Sequence, residues 1–151
     1  ALDRLFLMQT KSFESGNDRL REKETLTILA NAKDLDFELM EKFSPFDAKL
    51  FKGGKWIAYA EVKTYKANFK NVVPYIFISL MKVAHLQKLS IENRIACCII
   101  YRFNDCIGYY FLDEINGAKC GWGGRTKREG SKYDRELLVY IPKSLLKLII
   151  L

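Results

Sequence analysis

Apolar and polar positions change period several times along this chain, and each change marks a structural element. Across residues 12–33 polar positions come first, then Leu20, Leu26, Ile28 and Leu29, with Ala30 and Ala32 adding helix propensity. One amphipathic helix is predicted there, starting near Asn17 or Asp18 as N-cap. Residues 35–43 read two ways, because Phe37, Leu39, Glu41 and Phe43 alternate as in a strand while Leu, Met and Glu favour a helix. The strand is the reading adopted. Two apolar-rich runs, 46–51 and 56–64, flank Lys52-Gly53-Gly54-Lys55 and predict a β-hairpin. Pro74 suits a helix start, and Tyr75, Ile78, Leu80, Met81, Leu86 and Leu89 carry that helix to about Ser90. Strands follow at 94–103 and 107–112, joined by an Asn104-Asp105 turn. A polar, glycine-rich stretch at 114–135 leads to a last strand at 137–141 and a short C-terminal helix at 143–151. Helices and strands interspersed in this order indicate the α/β class.

With 151 residues, 49% of them hydrophobic and 28% charged, the chain is long enough to bury a substantial core, and a single domain over 1–151 is expected. The longest apolar runs, 95–101 and 145–151, fall far short of the roughly 20 residues that cross a bilayer. Asp3 and Arg4 interrupt the start of the chain, so no signal-peptide pattern is expected there. The cysteines Cys97, Cys98, Cys106 and Cys120 show neither a CxxC knuckle nor Cys/His ligand spacing, which argues against structural zinc. Cys97 and Cys98 are expected to pack on opposite faces of a strand as reduced thiols, as suits a cytoplasmic protein. A net charge of +7 suits a polyanionic partner such as nucleic acid.

The chemistry concentrates in the hairpin. Glu61 and Lys63 lie two apart on the second strand and therefore share a face, while Val62 turns to the other. If Asp47 joins them from the first strand, two carboxylates converge on a site suited to Mg²⁺, a hard cation that keeps several waters. Lys63 could then orient an attacking water and offset charge on a phosphate. A regular two-residue loop at Gly53-Gly54 would defeat this arrangement. It pairs Phe51 with Trp56 and Asp47 with Ala60, leaving Asp47 on the face opposite Glu61. The site needs either a three-residue loop closed by a glycine bulge or a bulge within a strand. Such an irregularity is predicted. The bland alternative is three solvent-facing charges on an amphipathic hairpin, but residues 56–64 carry apolar side chains on both faces, as a central strand does.

Asp47, thirteen intervening residues, then Glu61-x-Lys63, on a hairpin between two helices, resembles the active-site signature of the PD-(D/E)XK nuclease superfamily. Pro45 is separated from Asp47 by Phe46, whereas the family's proline directly precedes its aspartate. The resemblance implies a restriction-endonuclease-like core, a central mixed β-sheet flanked by helices. It implies a Mg²⁺-dependent nuclease, with Mn²⁺ able to substitute, that hydrolyses DNA phosphodiester bonds as an endonuclease. Asp47 and Glu61 would bind metal with the Val62 carbonyl, Lys63 would position water, and a helix acid, Glu24 or alternatively Glu22, would assist. Lys82, on the helix after the hairpin, would reach a phosphate. Some phage-type proteins of this fold carry a GGR-containing basic segment before the last strand, and Trp122 to Arg128 is similar; Arg125, Lys127 and Arg128 would grip flanking phosphates. The same segment reads equally as a solvated loop, and Lys82 as a solvated lysine. His85 reads as a helix-surface or partly packed residue rather than a general base. Cutting both strands would call for a homodimer. The competing function is a non-catalytic DNA-binding or partner-binding module on the same fold, and RNA cleavage at the same site is a third.

Overall fold

The computed structural model describes residues 16–72, 74–114, 119–123 and 136–151. The elements run α1 (Gly16–Lys33), β1 (Asp36–Leu39), β2 (Ala48–Lys52), β3 (Lys55–Thr64), β4 (Tyr75–Ser79), α2 (Leu80–Asn93), β5 (Ala96–Arg102), β6 (Cys106–Phe111), β7 (Lys119–Gly123), β8 (Glu136–Pro142) and β9 (Lys147–Ile150). A six-stranded sheet has the order β1-β2-β3-β5-β6-β9, with β3 and β5 parallel and every other neighbouring pair antiparallel. The central mixed sheet is therefore as the family resemblance implies. A separate antiparallel sheet has the order β4-β8-β7.

Strand β3 is buried from Ala58 to Val62 because both of its faces are covered. On one face Leu26 and Leu29 of α1 pack with Ala48, Leu50, Ala58, Ala60, Val62, Cys98 and Ile100. Three alanines make a shallow seat, so the helix lies close to the sheet. On the other face Val83 and Leu86 of α2, Ile76 and Ile78 of β4, and Val139 and Ile141 of β8 pack with Tyr59, Cys97, Ile99 and Tyr101. Cys97 and Cys98 thus face opposite ways, both buried and neither in a disulfide.

Two predicted helices are corrected. Residues 75–79 form a strand, and α2 begins only at Leu80. Ile76 and Ile78 are buried while Tyr75 is exposed, a two-residue period that β-branched side chains stabilise and that Pro74 at a supposed helix start obscures. Ser79 ends the strand and caps the helix, its Oγ accepting from the Lys82 N–H at 3.4 Å. Arg94 closes α2 in the left-handed conformation at φ 54°, and Ser90 accepts its backbone N–H. The C-terminal residues also form no α-helix: Lys143–Leu145 make one 3₁₀ turn and Lys147–Ile150 become β9. A segment so short cannot sustain an isolated helix, whereas the open edge of β6 offers a complete ladder, with Ile107 opposite Ile149 and Cys106 opposite Ile150. The predicted strand at 35–43 forms only over Asp36–Leu39, and Lys119–Gly123 of the glycine-rich stretch is a strand.

Gly108 of β6 tests the C-terminal strand. A Cβ there would stand 2.8 Å from Leu146 Cδ1 and 3.3 Å from Leu148 Cδ2. Alanine ordinarily stabilises a strand relative to glycine, but the overpacking reverses that sign, and Gly108→Ala is expected to lose about 1–3 kcal/mol of stability. Urea denaturation reads this as a lowered midpoint at constant m-value. A midpoint equal to or above that of the parent chain would contradict the packing of the C-terminal strand on Gly108.

Candidate active site

Gly53 and Gly54 both adopt positive φ, 57° and 78°, and form a two-residue turn that pairs Lys52 with Lys55 and Phe51 with Trp56. Only glycine takes both positions without strain. If that register ran on, Asp47 would face away from Glu61. It does not run on. The pairing shifts between Phe51 and Leu50, so that Leu50 stands opposite Ala58, Lys49 opposite Tyr59 and Ala48 opposite Ala60. Ile57 is the extra residue. Of the two irregularities the sequence allows, the hairpin uses the bulge within a strand, and both glycines serve the turn.

Aromatic packing pins this bulge. The Trp56 indole N–H donates to the Ala58 carbonyl across it at 3.0 Å. The Trp56 and Phe46 rings meet Tyr59 edge-on with centroids at 4.9 and 4.6 Å. Phe46, the residue that separates Pro45 from Asp47, is therefore a core anchor, 7% exposed.

Beyond Ala48 the first strand of the hairpin ends, and Asp47 continues the ladder with its side chain. Its backbone N–H donates to the Ala60 carbonyl at 3.0 Å, and its Oδ2 accepts from the Val62 N–H at 2.8 Å. The carboxylate is thereby fixed beside Glu61-Val62-Lys63, at 1% residue exposure. Glu61, 3% exposed, forms an ion pair from Oε1 to Lys82 Nζ at 2.9 Å. Its Oε2 is buried and has no hydrogen-bond partner among the described residues. Lys63 is half-buried and Thr64 exposed, so the strand emerges into solvent directly after the acids.

Lys82 differs from its expected place. Rather than projecting toward a flanking phosphate, it is 4% exposed and sits against Glu61. The missed signal is its spacing, since Lys82 is adjacent to Val83 and one turn before Leu86, on the stripe of α2 that faces the core. The two helix acids separate. Glu22 lies on the buried stripe of α1 with Thr25, Leu26 and Leu29, whereas the Glu24 side chain is 56% exposed and pairs with Arg102 Nη2 at 3.5 Å. Sequence reasoning did not single out Arg102, a buried cation where β5 ends opposite Thr64. Arg125, Lys127 and Arg128 lie outside the described residues. His85 is half-buried, and neither ring nitrogen has a hydrogen-bond partner among the described residues.

The floor of the site is apolar and uncharged. Burial pushes the Cys97 thiol far up, and the Glu61 charge acts in the same direction, so Cys97 stays protonated. Burial foremost, then the neighbouring Tyr110, raises the Tyr101 phenol, and burial raises that of Tyr65. Both hydroxyls serve structure. Tyr65 Oη accepts from the Phe77 N–H at 3.2 Å, and the Tyr101 hydroxyl donates to the Phe77 carbonyl at 3.3 Å, tying β4 to the main sheet.

No group of three or more His, Cys, Asp or Glu side chains is placed to hold a metal ion among the described residues. The donors brought to this strand end are the carboxylates of Asp47 and Glu61, the latter with a buried oxygen unpartnered among the described residues, beside a strand backbone. A hard divalent cation that retains its waters needs no more than one or two carboxylates, so this donor set fits one.

The same fold occurs in a solved structure described as Archaeoglobus fulgidus Hjc, a Holliday junction resolvase from an archaeal hyperthermophile. The match has a TM-score of 0.54 at 12% sequence identity and covers 83% of this chain and 84% of that one. No curated protein matches the sequence. A protein-family model described as "Phage putative PDDEXK endonuclease" matches residues 8–149, spanning both the hairpin carboxylates and the helix that supplies Lys82, and the chain belongs to that family.

Proposed function

We propose that the protein is a divalent-metal-dependent endonuclease that hydrolyses phosphodiester bonds in DNA, with Asp47, Glu61 and Lys63 as its reacting centre. The observation that carries this reading is the Ile57 bulge together with the 2.8 Å bond from the Val62 N–H to Asp47 Oδ2, which bring an aspartate to the Glu61-x-Lys63 strand end. Membership of the endonuclease family supports giving it a catalytic role.

Asp47, Glu61 and the Val62 carbonyl would hold the metal, Mg²⁺ with Mn²⁺ as substitute. When bound, a divalent cation would supply a Lewis acid toward a phosphate oxygen and lower the pKa of a bound water. The chain's own residues do the rest. Asp47 is held in one orientation by the Val62 N–H. The Lys63 ammonium, on the face of Glu61, holds the attacking water and offsets the negative charge that builds on the phosphate. The apolar floor of Tyr59, Cys97 and Tyr101 keeps the local dielectric low, which strengthens each of these interactions. Arg125, Lys127 and Arg128 would grip flanking phosphates. The net charge of +7 favours a polyanion over a small substrate. The likeness to a Holliday junction resolvase supports DNA rather than RNA as substrate and makes branched DNA worth including in the test. Cleavage of two strands would require a homodimer.

Plasmid, single-stranded and four-way-junction DNA incubated with Mg²⁺, Mn²⁺ or EDTA tests the reading. Cleavage is expected only with metal, and Lys63→Ala and Glu61→Ala, checked for folding by circular dichroism, should each slow it by roughly 100-fold or more. If the parent chain binds DNA equally with and without EDTA and never cuts, the protein is a binding module on this fold.

DNA affinity should also fall steeply with salt. If the three basic residues of segment 125–128 contact phosphates, replacing all three with alanine should reduce the magnitude of the log K against log[salt] slope by about 2–3. An unchanged slope would remove that segment from the interface.

A further inference from the structure

The Glu61–Lys82 pair is the unusual element of the site. Both side chains are 4% exposed, and their charged atoms lie 2.9 Å apart. A buried carboxylate needs a positive partner, and the reading of Asp47 and Glu61 as metal ligands asks a divalent cation to take that part. Lys82 already supplies one positive charge to Glu61, on one oxygen only; the second oxygen is buried and unpartnered among the described residues. The lysine is set there by the fold. Ser79 caps α2 through the Lys82 backbone N–H, and Val83 and Leu86 hold that face of the helix against the sheet.

We infer that Lys82 is a positioning residue whose ammonium holds Glu61 when no metal is present and competes with the divalent cation for it, so that metal loading displaces Lys82 from the carboxylate. This rests on the metal-site reading above. Two cations sharing one buried carboxylate repel each other at short range, so full occupancy by the metal and an intact Glu61–Lys82 pair oppose one another. Lys82 thereby lowers the apparent metal affinity and keeps the empty site from standing open as an uncompensated buried negative charge.

The sign of the effect separates this role from simple structural support. A lysine that merely props the site in shape would, on removal, weaken metal binding; a competing lysine would strengthen it. Isothermal titration with Mn²⁺ should show Lys82→Met binding roughly tenfold more tightly than the parent chain, within the usual range of coupling between two sites. Lys82→Arg, which keeps the charge, should stay near the parent value. Metal-free Lys82→Met should also melt at a lower temperature and recover more of it with Mn²⁺ than the parent does. Should Lys82→Met not fold, the parent chain carries the test through nuclear magnetic resonance of its lysine ammonium groups. The slowly exchanging Lys82 signal expected without metal should be lost at saturating Mg²⁺. A parent that binds metal while Lys82→Met binds equally or more weakly, or whose Lys82 signal persists at saturation, overturns the competition alone. A parent that binds no divalent cation at all overturns the metal-site reading and the competition with it.

Discussion

Side chains on a strand alternate faces with a period of two, and so one extra residue decides which groups meet. In this protein that residue is Ile57. With it in the bulge, Ala48 pairs with Ala60, and the next position, Asp47, falls beside Glu61. Without it, the turn at Gly53-Gly54 would direct the aspartate to the α1 side, where Leu26, Leu29 and three alanines pack. The same bulge seats Trp56 on Tyr59 and lets Ala58, Ala60 and Val62 keep their place under α1. Core packing and site assembly therefore depend on one register shift. Misregistered pairing would lose both together, which is how a sheet specifies its register most strongly.

The charges gathered at the end of β3 are costly for the fold. Removing one member of a buried ion pair typically destabilises a protein by about 3–5 kcal/mol, whereas replacing the whole pair with apolar residues is often neutral. On stability grounds alone an apolar pair at Glu61 and Lys82 would serve as well. Asp47 is better provided for, since backbone donors stabilise a carboxylate without a second desolvated charge, and the Val62 N–H does so here. The molecule thus keeps side by side an acid held by a backbone donor and one held by a buried lysine.

Much of this was legible in the sequence, and the failures have identifiable causes. The hairpin announced itself through two glycines flanked by apolar runs, and the need for a bulge followed from parity alone, because Asp47 and Glu61 could not otherwise share a face. What parity could not choose was where the extra residue sits. That choice belongs to Trp56, Phe46 and Tyr59, whose mutual packing appears only once the hairpin is folded. Tyr75, Ile78, Leu86 and Leu89 also satisfy a helical spacing, so residues 75–79 read as helix, and nothing local reveals that β8 lies alongside. The C-terminal strand was hidden for the same reason: β6 lies some forty residues upstream and supplies an edge that overrides local preference. A lysine one turn into a helix is ordinarily solvated, and only the position of β3 across the interface reveals the acid that Lys82 meets.

Placement of Lys82 reaches back to a pair of tyrosines. Strand β4 leads directly into α2 through Ser79, so any shift of β4 moves Lys82 relative to Glu61. On one side β4 is fixed by its ladder with β8, from Tyr75 opposite Pro142 to Ser79 opposite Leu138. On the other side the Phe77 peptide is held by the hydroxyls of Tyr65, just beyond β3, and Tyr101, on β5 opposite Lys63. Both tyrosines are anchored at the strand ends that carry the site. The distance from Lys82 to Glu61 is therefore set by two short routes through the same strands, one along β3 itself and the other through the tyrosines, β4 and the helix cap. Burial keeps the Tyr101 phenol protonated and so able to donate to the Phe77 carbonyl, while the Tyr65 oxygen accepts from the Phe77 N–H in either protonation state. The second sheet, which carries neither Asp47 nor Glu61, bears on their setting by holding the far end of that route.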